Sequence, residues 1–217
     1  MTEKLYASIL ELDRKAVKHL GITDPYSLHR VVYSLFPDVR TDDEKRSGKP
    51  SGIVYADQGG DFFTRKILIL SNRVPASCVE SGYGAVLTRE IPRSFLGYDY
   101  YRFKVVVNPC IRRNATRKLE PVRGREAIAH WFCDRSQRNW GFVVLKEHLQ
   151  VDSMDVLRFT AKNRHRITMS RATVQGVLKV VERDRFMKSF AAGLGRGRAF
   201  GCGLLQIVPQ KVFANSR

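Results

Sequence analysis

From Leu5 to Leu12 apolar and polar positions alternate, the period of a half-buried strand. Thr23-Asp24-Pro25 then offers an aspartate N-cap and a proline at the first helical position, so a helix is expected to run to about Leu35, where Phe36-Pro37 ends it. Gly52–Ala56 and Thr64–Leu70 read as strands around a turn at Asp57-Gln58-Gly59-Gly60-Asp61. Pro75–Ser81 is expected to form a short helix and Ala85–Ile91 a strand. The order βαββαβ is that of a ferredoxin-like unit.

A second unit is expected after Pro92–Gly97. Tyr100–Val107 is a strand, Arg123–Asp134 a helix with Ala127, Ile128, Trp131 and Phe132 on its apolar side, and Phe142–Leu145 a strand. Leu157–Thr168 reads as a hairpin with a basic tip, Val174–Val181 as a strand, Asp184–Ala192 as a helix and Leu204–Val208 as a closing strand. The predicted fold class is therefore α+β, two tandem ferredoxin-like (RRM-like) domains at residues 1–93 and 98–217.

Composition sharpens this picture. The 217 residues are 43% hydrophobic and include 12 Phe, 8 Tyr and 2 Trp, which excludes an intrinsically disordered chain. No apolar run approaches the length of a membrane span, and Met1-Thr2-Glu3-Lys4 opens no signal peptide, so a soluble, cytoplasmic protein is expected. Cys78, Cys110, Cys133 and Cys202 are scattered without a C-x-x-C pair; they are expected to be reduced, mostly buried thiols rather than metal ligands.

The net charge of +17 points to a polyanionic partner, and its distribution is uneven. Residues 1–101 are nearly neutral. Arg102–Arg125 holds 8 basic residues against Glu120, and Arg158–Arg198 holds 11 against Glu182 and Asp184. A single run of one sign is ordinarily a solvated face; two, rich in arginine, fit phosphate oxygens better. Candidate RNA contacts are Arg112, Arg113, Lys162, Arg164, His165, Arg166 and Arg171.

On a helical wheel, Leu28, Val31, Val32 and Leu35 fall on one side of the first helix and Tyr26, His29, Arg30 and Tyr33 on the other. That second side is either a solvated face holding a histidine or a chemical one. A histidine near neutral pH can take or give the protons that breaking a phosphodiester beside a 2′-OH requires. No H-E-x-x-H or carboxylate cluster suggests metal-assisted chemistry, so no cofactor or obligatory metal is expected.

Gly193-Leu194-Gly195-Arg196-Gly197-Arg198-Ala199-Phe200-Gly201-Cys202-Gly203-Leu204-Leu205 is neither a Walker A loop nor a dinucleotide fingerprint. Its glycines permit positive φ and close backbone approach to an anion, while Arg196 and Arg198 add charge. A flexible loop ahead of a terminal strand is the plainer reading. Gly195, Arg196, Gly197 and Arg198 join Arg30 and Tyr33 as candidate RNA contacts.

Tyr26-Ser27-Leu28-His29 with Leu35-Phe36-Pro37, Tyr101-Arg102-Phe103 with Asn108-Pro109, and the Gly193-x-Gly195 to Gly201-Cys202-Gly203-Leu204-Leu205 segment resemble the CRISPR-associated endoribonucleases that process repeat RNA, specifically the Cascade-type, subtype I-E family. The resemblance spans the chain at low identity. It implies tandem ferredoxin-like domains, a CRISPR repeat stem-loop RNA as substrate, metal-independent cleavage at the 3′ base of the stem, and retention of the product within a Cascade-type effector complex. It also implies that His29 is catalytic with Tyr26 beside it, and that the basic hairpin around Arg164 and Arg166 meets the stem. Arg198 stands where relatives often carry lysine and Ala199 where some carry serine; charge is kept and a hydroxyl is lost. A non-catalytic guide-RNA-binding scaffold is the alternative. The Lys211–Arg217 tail is expected to be frayed and dispensable.

Overall fold

The computed structural model describes residues 4–37, 39, 41, 43, 50–79, 82–113, 117–160 and 166–210. Strand β1 (Tyr6–Asp13) leads into helix α1 (Arg14–His19) and helix α2 (Pro25–Ser34), followed by β2 (Ile53–Gly60), β3 (Thr64–Ser71) and β4 (Ala85–Glu90). These four strands form an antiparallel sheet in the order β2-β3-β1-β4, with Leu10 opposite Ile67 on one side and Val86 on the other.

The second half contains β5 (Tyr100–Val107), a small hairpin of β6 (Cys110–Arg112) and β7 (Leu119–Pro121), α3 (Arg125–Arg135), β8 (Phe142–Val144), β9 (Gln150–Thr160), β10 (Arg166–Val180), α4 (Arg183–Ala192) and β11 (Gln206–Pro209). Its sheet runs β11-β5-β10-β8, with β9 paired to β10. Taking the four principal strands of each half in chain order, both sheets share one arrangement, fourth-first-third-second. The fold is mixed α and β with two ferredoxin-like domains.

Three elements differ from the sequence expectations. Pro75–Ser81 is not a helix in its described part: Ala76 N–H donates to Leu35 C=O, Val79 N–H to Tyr83 C=O, and Cys78 bridges Ala85, so its backbone groups are used between segments. Helix α1 was not anticipated; Asp13 caps it by accepting from Ala16 N–H at 2.7 Å. The expected hairpin at 157–168 and strand at 174–181 belong to one long ribbon, in which β10 runs unbroken for 15 residues and β9 begins at Gln150.

The period of two sorts β2 between two cores. Ile53 and Tyr55 pack with Leu28, Val31 and Val32 of α2, whereas Val54 and Ala56 join the core containing Phe186, Phe190, Leu194 and Leu204 of the second domain. Burial on both faces explains why this strand reads as a continuous apolar run. The four cysteines are free thiols. Cys202 alone is buried; Cys110 and Cys133 are partly exposed and Cys78 exposed, correcting the expectation of mostly buried thiols. Burial pushes the Cys202 thiol up to about 12.

Candidate active site

Helix α2 is fixed at its start by the predicted cap. Asp24 accepts from Ser27 N–H at 2.7 Å, Ser27 Oγ accepts from Asp24 N–H at 3.0 Å, and Pro25 occupies the first turn. Leu28, Val31 and Val32 anchor its inner face, so the opposite stripe is turned toward the second domain. Arg30 is exposed, whereas Tyr26, His29 and Tyr33 are half-buried, because that stripe is covered rather than solvated.

What covers it is the glycine-rich loop. Gly193, Gly195, Gly197, Gly201 and Gly203 all adopt positive φ, bending the chain between α4 and β11 into a compact turn. The turn is tied on both sides: Leu194 N–H donates to Gly203 C=O at 2.8 Å, Gly203 N–H to Val106 C=O at 2.7 Å, and the Tyr55 hydroxyl to Ala199 C=O at 2.7 Å. An Arg198 guanidinium nitrogen donates to Ala192 C=O at 2.7 Å, holding that side chain across the loop.

Between α2 and this loop lies an open cleft of about 890 Å³, lined by His29 and Tyr33, by residues 50–53, and by Gly195 to Phe200. The His29 ring lies 4.2 Å from the Tyr33 ring and 6.1 Å from that of Phe200. The Tyr33 hydroxyl shares a 2.9 Å hydrogen bond with Ser51. Tyr26 sits one turn earlier, its ring 6.3 Å from His29, beside the cleft rather than among its lining residues.

Nδ1 of His29 is buried without a hydrogen-bond partner among the described residues. Desolvation depresses the imidazole pKa below its ordinary 6.5, with the backbone of Ala199 opposing the shift. The neutral ring therefore predominates at pH 7, ready to accept a proton. Among the described residues no group of three His, Cys, Asp or Glu side chains is placed to hold a metal ion.

The other predicted contacts separate into groups. Gly195, Arg196, Gly197 and Arg198 line the cleft with His29. Arg166 lies in the β9–β10 hairpin, whose Phe159 packs edge-on against Phe200 at 4.7 Å; Lys162, Arg164 and His165 lie outside the described residues. Arg171 is already paired, gripping Asp155 through two hydrogen bonds of 2.8 Å. Arg113 pairs with Glu120 at 2.7 Å, and Arg112 donates to the Arg117 carbonyl.

Asp155, outside the basic runs, thus neutralises part of one of them, which a linear charge profile hides, while Glu120 pairs within the other. Sequence reasoning also missed Tyr55, Ser51 and Phe200. Only Phe200 carried a signal, an aromatic inside a glycine-arginine segment.

A family model described as CRISPR associated protein matches residues 5–209. No curated protein matches this chain. Among solved structures, a CRISPR endoribonuclease Cse3 bound to a 19-nucleotide RNA superposes with a TM-score of 0.78 at 20% identity, covering 95% of this chain and 100% of that one. Thermus thermophilus Cse3 bound to an RNA representing a pre-cleavage complex gives 0.75 at 19% identity, again covering 95% and 100%. A chain of a CRISPR RNA-guided surveillance complex gives 0.67 at 17%, covering 94% and 100%. At these identities the likeness is one of fold.

Proposed function

Because the chain belongs to the family of CRISPR-associated proteins, we propose that it is the endoribonuclease that cuts CRISPR precursor RNA at the 3′ base of the repeat stem-loop and keeps the product as a subunit of a Cascade-type complex. The observation that carries this reading is the placement of His29, a largely neutral imidazole in a cleft whose opposite wall bears Arg196 and Arg198. The RNA bound in the Cse3 structures and the surveillance-complex chain of the same fold support the substrate and the partners. We put the division between domains at residues 93–98, a reading supported by the short turn Arg93–Leu96 that joins β4 to β5.

In the proposed mechanism the 2′-oxygen of the nucleotide 5′ to the cut attacks the adjacent phosphorus in line. The P–O5′ bond breaks, leaving a 2′,3′-cyclic phosphate on one fragment and a 5′-hydroxyl on the other. His29 takes the 2′ proton, the role its depressed pKa favours, and solvent protonates the departing 5′-oxygen. The cationic loop balances the charge that builds on the phosphoryl oxygens, and its positive-φ glycines let backbone N–H groups approach them. Tyr33, restrained by Ser51, packs on the imidazole and fixes its orientation, while Tyr26 positions the nucleotide at the cleft edge. No metal takes part.

Incubating repeat RNA with the protein in EDTA tests this. Two fragments are expected, the upstream one ending in a cyclic phosphate, and a single 2′-deoxy substitution at the cut is expected to leave the RNA bound and whole. Intact unmodified RNA, cleavage only with added divalent ions, or cleavage of the deoxy substrate would overturn the mechanism. Tight binding without any cleavage is the signature of the guide-RNA scaffold instead.

A further inference from the structure

On the far side of the glycine-rich loop is a second groove of about 360 Å³, bounded by the β6–β7 hairpin and the C-terminal end of α3. Gly195 and Arg196 line both this groove and the His29 cleft, so the two are separated by a single turn of backbone. Arg112, Arg135 and Arg196 enter the groove, with Asn108 and Asn139 between them, and none of its lining residues is acidic. The arginines converge: Arg196 and Arg135 both act to lower the pKa of the Cys110 thiol at the groove floor, against the upward push of burial. Among the described residues, Arg112 and Arg135 spend one nitrogen each on protein oxygens, the Arg117 carbonyl and the Asn139 amide.

We infer that this groove is a binding subsite for the single-stranded RNA immediately 3′ of the cut, held through its phosphates by Arg112, Arg135 and Arg196. The inference rests on the proposed cleavage at the 3′ base of the stem. The β9–β10 hairpin reaches the His29 cleft at Phe200, on one side of the loop, and presents Arg158 and Arg166 there. A stem lying against that hairpin delivers its 3′ foot to His29. The strand that continues past the cut leaves over Gly195 and Arg196 and enters the second groove, which has room for a sugar-phosphate backbone but not for a paired stem. Planar guanidinium groups flanked by amides suit phosphate oxygens and carry no sequence code, so the subsite senses that a flank is present, not its bases. Cleavage severs the flank from the stem. The grip then serves the precursor and not the retained product, and the downstream fragment leaves.

The test measures affinity with RNA made uncleavable by 2′-deoxy substitution at the cut, either with a long 3′ flank or trimmed just past the cut. The wild-type protein is expected to bind the flanked RNA roughly tenfold tighter, with a salt dependence steeper by about 1.4 in log–log slope, the increment for two phosphates of a single strand. In the Arg112→Gln/Arg135→Gln variant the difference between the two RNAs is expected to shrink to roughly threefold or less, the share left to Arg196, while affinity for the trimmed RNA stays at the wild-type value, which also shows that the variant is folded. Equal wild-type affinity for the two RNAs overturns the subsite without any variant. A variant that weakens both RNAs alike overturns it too, by making these arginines stem contacts or structural ones. Because uncleavable RNA is used, the outcome is independent of whether His29 is catalytic.

Discussion

The buried hydroxyl of Tyr55, on β2 of the first domain, donates a 2.7 Å hydrogen bond to the carbonyl of Ala199, 144 residues away in the glycine-rich loop of the second. Tyr55 is 1% exposed, and burial raises its phenol pKa further above the ordinary 10, so it remains a donor throughout the neutral range. The same strand packs under α2, which carries His29. One side chain thus ties the strand beneath the imidazole to the cationic loop.

Replacing Tyr55 with Phe keeps the ring and removes the hydroxyl's hydrogen bond to the Ala199 carbonyl. Loss of about 1–2 kcal/mol in folding stability is expected from urea unfolding. The single-turnover cleavage rate is expected to fall at least tenfold, roughly the effect of a small misplacement of reacting groups, while stem-loop affinity changes little. A variant that loses stability but cleaves at the wild-type rate would show that the loop holds its position without this bond.

Much of this architecture is legible in the sequence, and the exceptions have physical causes. The α2 start was readable because capping is local: Asp24, Pro25 and Ser27 interact within one turn. Most strands of both sheets were readable, β1 from its alternation and β2 from its continuous apolar run, whereas the full length of the β9–β10 ribbon was not. Pro75–Ser81 was misread because its order comes from hydrogen bonds to Leu35 and Tyr83, which no window of sequence contains. The wheel separated His29 from the aliphatic face and set Tyr33 one turn away on the same stripe, yet gave no hint that Phe200 closes over it, since the covering loop lies some 170 residues further on. Charge runs located the basic half but overstated its free charge, because Asp155 lies on the strand paired with Arg171.

The His29 pKa is depressed by desolvation, which disfavours the imidazolium. If the neutral ring is the base, the cleavage rate rises with pH and reaches a plateau. With subsaturating protein, which reports the free enzyme, the midpoint is expected below 6.5. At saturation the bound phosphodiester favours the imidazolium and the midpoint moves up. A rate that instead falls as pH rises through this range would make His29 the acid. His29→Ala is expected to lose cleavage at every pH and to retain stem-loop affinity within about threefold, since most of the basic side chains lie elsewhere in the chain.

The glycines of the loop are not equivalent. A Cβ at Gly203, where φ is +88°, would lie 2.5 Å from the Leu194 carbonyl oxygen and 3.1 Å from the Leu194 nitrogen, whose N–H donates to the Gly203 carbonyl and closes the turn. Gly195 has φ +69° but meets nothing within 4 Å. Gly203→Ala is expected to cost at least about 2–3 kcal/mol by combining strain with a clash, and Gly195→Ala about 1 kcal/mol from strain alone. Thermal unfolding of the two variants checks the order; equal losses would mean that the turn relaxes around the clash.

Arg171 contributes little free charge, because Asp155 occupies its guanidinium through paired 2.8 Å hydrogen bonds. The pair is only partly shielded, with side-chain exposures of 27% and 50%, so its worth to folding is within about 1 kcal/mol. Asp155→Asn removes the negative charge and leaves Arg171 available to phosphate on the same ribbon as Arg166. RNA affinity at low salt is expected to rise severalfold and its salt dependence to steepen by about 0.7–0.9, one additional phosphate contact, with stability nearly unchanged. Filter binding across a salt series checks both. Weaker binding would show that Asp155 orients Arg171 toward RNA, making the pair a positioning device rather than a neutralised one.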